Sequence, residues 1–77
     1  MDNNVRLHAV NYMNNKAAAD KEKAQLSLEL LTESAAGIGD HSTGDYYNNL
    51  DEALAGLVDA RDRIELLKEL YPDLLGG

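Results

Sequence analysis

Cysteine is absent from this sequence, which excludes disulfides and thiolate metal sites and leaves the redox compartment open. Tryptophan and phenylalanine are absent as well, so Tyr12, Tyr46, Tyr47 and Tyr71 carry all the aromatic surface. Proline occurs once, at Pro72, so nothing before it forces a helix to break. No apolar run approaches the ~20 residues that a membrane span requires. The opening stretch MDNNVRLHAVNYM has no basic segment leading into an apolar one, so no signal peptide is expected. These absences predict a cytoplasmic protein without a membrane partner.

Basic residues are scarce: seven Lys and Arg stand against fourteen Asp and Glu, for a net charge of −7. The imbalance is uneven. Residues 1–39 hold five acids and four bases, and residues 40–77 hold nine acids and three bases. A negative field on the C-terminal half repels nucleic acid and anionic lipid and attracts basic protein surfaces. It also serves as an ordinary solvated face. The sequence therefore predicts no direct nucleic-acid binding and, if a partner uses this charge, a protein with a basic surface.

Residues that carry chemistry are few. His8 and His41 are the only histidines, far apart and without a second local ligand, so no metal is expected. The segment from Asp40 to Asp51 is rich in oxygen ligands. A calcium loop asks for Asp or Asn at its third and fifth places, glycine at the sixth and glutamate at the twelfth. Counted from Asp40, those places hold Ser42, Gly44, Asp45 and Asp51, so turn formation and capping explain the segment better. The glycine-rich GIGDHSTGD lacks the lysine of a phosphate-binding loop. Asp59 and Arg63 at i,i+4, and Glu65 and Lys68 at i,i+3, read as ion pairs on a helix surface rather than as catalytic carboxylates. No catalytic residue, cofactor or enzymatic activity is expected.

What the sequence does hold is helical pattern. Lys16 to Ala36 is rich in strong helix formers and free of Gly and Pro. GIGDHSTGD, residues 37–45, is the one clear break. A second helix then runs to Leu70 or Tyr71, where Pro72 ends it. The segment VRLHAVNYM, residues 5–13, reads two ways. Val5, Leu7 and Ala9 alternate as in a strand, but Leu7, Val10, Asn14 and Ala17 continue a helical stripe, which favours helix. The expected organisation is a frayed segment over residues 1–4, a hairpin domain over 5–71 and a tail over 72–77. Within the hairpin, helix 1 covers about 5–36, the loop 37–45 and helix 2 about 45–71.

In helix 2, Leu50, Leu57 and Ile64 recur every seventh residue with Ala53, Ala60 and Leu67 between them, a coiled-coil-like stripe. Two helices joined by a short loop pack antiparallel. Placing Leu31 opposite Leu50 brings Leu28 to Ala53, Ala24 to Leu57, Lys21 to Ala60 and Ala17 to Ile64. Asn14, Val10 and Leu7 then meet Leu67, Tyr71 and Leu74. Large residues facing alanine fill such layers without voids. Gly56 lies beside this stripe, where close backbone approach would compensate its helix cost of about 1 kcal/mol.

The hairpin leaves apolar residues over. Leu26, Leu30, Leu54, Val58, Leu66 and Leu70 flank the stripes, and Tyr46 and Tyr47 sit at the loop end. Met13 and Ile38 are also unplaced. Each large apolar side chain left in water forgoes ~1.5–3 kcal/mol of burial. The predicted fold is thus all-α, an antiparallel two-helix hairpin that self-associates into a four-helix bundle. Those eight residues are the candidate interaction surface of a small acidic protein that acts by binding another macromolecule, with a homodimer as the expected state. Two alternatives stand beside it: an acidic nucleic-acid mimic that blocks a basic DNA- or RNA-binding surface, and a structural subunit of a larger assembly.

Overall fold

The computed structural model describes residues 3–33 and 43–76. Much of the expected loop, with Ile38, His41 and Ser42, falls on residues 34–42, outside that set. Helix α1 spans Asn3–Glu33, α2 spans Thr43–Leu70, and a one-turn α3 spans Pro72–Leu75. Among the described residues only Tyr71 and Gly76 are not helical.

The doubtful segment 5–13 is helix, and the burial pattern gives the reason. Val10 is only 1% exposed, whereas Val5 is 55% exposed and Ala9 is open to solvent. An alternating strand would have put Val5, Leu7 and Ala9 on one covered face. The helical stripe instead turns Leu7, Val10, Asn14 and Ala17 toward α2, and packing of that face stabilises the helix. The helix begins at Asn3, so Asn3 and Asn4 extend α1 where the sequence reads as frayed.

The two long helices run antiparallel. Arg6 reaches Asp73 near one end, Asp20 reaches Arg63 mid-way, and the Tyr46 hydroxyl reaches the Leu31 carbonyl near the other. Every residue placed on the seam by the heptad register is buried or half-buried. The fully covered ones are Val10, Ala17, Ala24, Ala53, Ala60 and Leu67. Four of these six are alanines. Their larger partners, Leu28, Leu57 and Ile64, lie across them and keep their outer edges in solvent. The core is therefore a thin line. Apolar burial scales with area, so alanine contributes far less than the ~1.5–3 kcal/mol of a fully covered Leu or Ile.

A methyl group added at Gly56 would meet the Ala24 Cβ at 3.6 Å, an ordinary contact. The backbones approach closely here, but not so closely that glycine is required. The glycine therefore has no compensation within the hairpin.

At the C-terminal end, Pro72 expels the preceding residue from the helical region, and Tyr71 adopts φ −131, ψ 56. The expected tail then forms one more turn. Pro72 starts it, where its missing N–H costs nothing. Gly76 closes it in the left-handed region at φ 63, with its N–H on the Pro72 carbonyl at 3.0 Å. Leu74 thereby extends the seam, half-buried. The molecule measures 58 × 17 × 16 Å with a radius of gyration of 16.8 Å. A compact domain of this length would have roughly 11–12 Å.

Candidate interaction surface

Apolar residues that miss the seam are the material for a surface. Leu26, Leu30, Leu54, Val58, Leu66, Leu70 and Tyr47 are all exposed, from 47% at Val58 to 59% at Tyr47. They do not form one patch. Leu30 lines a groove on one flank of the hairpin, and Leu66 and Leu70 line a second hollow further along. Leu54 and Val58 line neither, and Leu26 sits in a shallow depression on α1 among Glu22, Lys23, Gln25 and Glu29. Tyr46 is half-buried, its hydroxyl donating to the Leu31 carbonyl at 2.6 Å. That bond ties the first turns of α2 to α1. Tyr47 packs edge-on against the Tyr46 ring, with centroids 6.0 Å apart, and faces solvent.

The groove beside Leu30 has a volume of about 630 Å³. Small residues make its floor: Ala24, Ser27, Ala53 and Gly56. Lys23 edges it on α1, and Glu52 and Asp59 edge it on α2. The second hollow, about 310 Å³, is walled by Tyr12, Met13, Leu66, Leu70 and Tyr71, with Lys16 at its edge. Arg63 belongs to both. The two therefore lie on one flank, in line, separated by a charged bridge.

That bridge joins the helices. The Arg63 guanidinium donates from Nη2 to Asp20 Oδ2 at 3.0 Å and from Nε to Asp59 Oδ2 at 3.1 Å. Lys16 Nζ lies 3.5 Å from the same Asp20 oxygen. The hydrogen bond from Arg63 holds the Asp20 carboxyl below the usual carboxylate range; partial desolvation opposes this and Lys16 adds to it. Arg63 is raised in turn, chiefly by the same bond to Asp20. A second bridge closes the far end: Arg6 Nη1 donates to Asp73 Oδ2 at 2.9 Å, and its guanidinium lies 5.4 Å from the Tyr71 ring centre. Arg6 holds the Asp73 carboxyl low by hydrogen bonding.

The Asp59–Arg63 pair read from the sequence is present. Glu65 and Lys68 form no ion pair, and both are exposed, where such a pair gains little over hydration. The Asp20–Arg63 link went unread. Its signal was available, because Asp20 and Arg63 each directly precede a seam residue, Lys21 and Ile64, and so face each other along one flank.

Among the described residues, no group of three or more His, Cys, Asp and Glu is placed to hold a metal ion, and no helix is long and apolar enough to cross a membrane. Compared with protein-family models, with curated proteins and with solved structures, the chain matches none.

Proposed function

We propose that this chain is a helical interaction protein that self-associates through its apolar flank and acts by contact with another protein. The supporting observation is the mismatch between core and surface. The seam covers mostly alanine, while Leu30, Leu66 and Leu70 stay more than half exposed beside two concave hollows. A chain this short buries only about 60% of its unfolded surface and is marginal alone. Joining a second hairpin adds the missing wall.

The outer face of α2 supports the second half of the reading. Asp62, Glu65 and Glu69 follow one another at helical spacing and are all exposed. That acidic edge suits a basic protein surface, and such binding would weaken as salt rises.

Light scattering across a concentration series tests self-association. A mass rising toward twice the 8.4 kDa of one chain is expected. A single-chain mass at every concentration, with helicity intact, would leave the self-association half of the proposal without support.

A further inference from the structure

We infer that the occupant of the grooved flank is a second copy of this chain, laid so that the dimer twofold runs parallel to the long axis of the hairpin. This rests on the self-association proposed above and specifies its face and geometry. Size permits it. The whole molecule is 58 Å long and 16–17 Å across, so one full side offers a projected area on the order of 900 Å², comparable with the ~800 Å² per partner of a standard interface.

Charge selects the orientation. Apart from the Asp20–Arg63 bridge, which also lines the flank, the α1 edge carries the bases Lys16 and Lys23 and the α2 edge carries the acids Glu52 and Asp59. Two hairpins packed flank to flank have two simple twofolds available. An axis across the hairpin sets α1 on α1 and α2 on α2, and like edges meet. An axis along the hairpin sets α1 of each copy on α2 of the other at the same height, and opposite edges meet.

The central bridge responds in the same way. Asp20 lies on α1 and Arg63 on α2, linked at 3.0 Å. Under the lengthwise twofold, Arg63 of each copy faces the partner's Asp20. The pair closes into a ring of four alternating charges, which keeps both ions paired as water leaves the flank. A crosswise axis through this bridge would set Asp20 against Asp20. Isologous contacts require such self-complementarity, and paired charges at an otherwise apolar seam fix orientation. On either side of the ring, Met13 and Leu70 of one copy meet those of the other, and the floor at Ser27 and Gly56 leaves room for close approach.

The twofold makes a geometric prediction. A lengthwise axis keeps every residue level with its own copy, so groove residues at well-separated heights all lie near their counterparts. A crosswise axis allows this at one height only. Met13 and Ser27 are fourteen residues apart on α1, roughly 21 Å along a helix. Since the chain has no cysteine, the single variants Met13→Cys and Ser27→Cys report cleanly with a short thiol–thiol crosslinker. Ala18→Cys, exposed and two residues off the groove side, is the control. Both groove variants should give covalent dimers about tenfold or more above the control, alongside a dimeric mass for the unmodified chain. A dimeric mass with crosslinking at one groove position only, or at Ala18, overturns this geometry and leaves self-association standing. A single-chain mass overturns both.

Discussion

Asn14 sits on the seam between two helices, and its Oδ1 is the one buried side-chain polar atom among the described residues without a hydrogen-bond partner. A buried acceptor left unpaired costs about 1–3 kcal/mol. Asn14→Leu should therefore raise the denaturation midpoint at fixed protein concentration, by an amount corresponding to about 1–2 kcal/mol. An unchanged or lowered midpoint would mean that the carbonyl is not a burden to the fold. Gly56 gives a second test. Its added methyl meets Ala24 at ordinary distance, so Gly56→Ala should gain about 1 kcal/mol of helix stability in the dilute hairpin. A loss there would show that the added methyl meets Ala24 closer than 3.6 Å. At this scale the seam was legible, because Leu7 through Leu31 and Leu50 through Leu74 obey one period. The Asp20–Arg63 bridge was overlooked because a heptad reading attends to the covered stripe and passes over the residues beside it.

At the scale of elements, two ion pairs fasten what the thin core does not: Asp20 to Arg63 across α1 and α2, and Arg6 to Asp73 across α1 and α3. Both carboxyls are held below their ordinary range by their arginine partners. A carboxyl lowered in the folded state contributes its full stabilisation above the unfolded value of about 3.9, and loses it as pH falls through the folded value. The wild-type chain should thus be more thermostable than Asp20→Asn/Asp73→Asn at pH 7, with the gap closing at pH values below about 4. The gap is modest because all four side chains are at least one-third exposed. A gap of the same size at pH 7 and pH 3 would show that charge is not its origin. Segment 5–13 was only half legible: its residues satisfy both periods, and contact with α2 decides between them. The turn at Pro72–Leu75 was missed because Pro72 was read as a stop, although proline also opens a helix.

The whole molecule is a rod whose helices cover each other along one narrow line. The hairpin was readable from two helical patterns and one glycine-rich break. How the leftover leucines divide between flanks was not, since that depends on the angle at which each faces the groove. Self-association as proposed covers the grooved flank in solution. Methyl NMR with a soluble paramagnetic probe tests it directly at high protein concentration. The methyls of Met13, Leu30, Leu66 and Leu70 should be protected, those of Leu54 and Val58 bleached, and dilution should remove the difference. Equal bleaching of both sets at every concentration would contradict the claim.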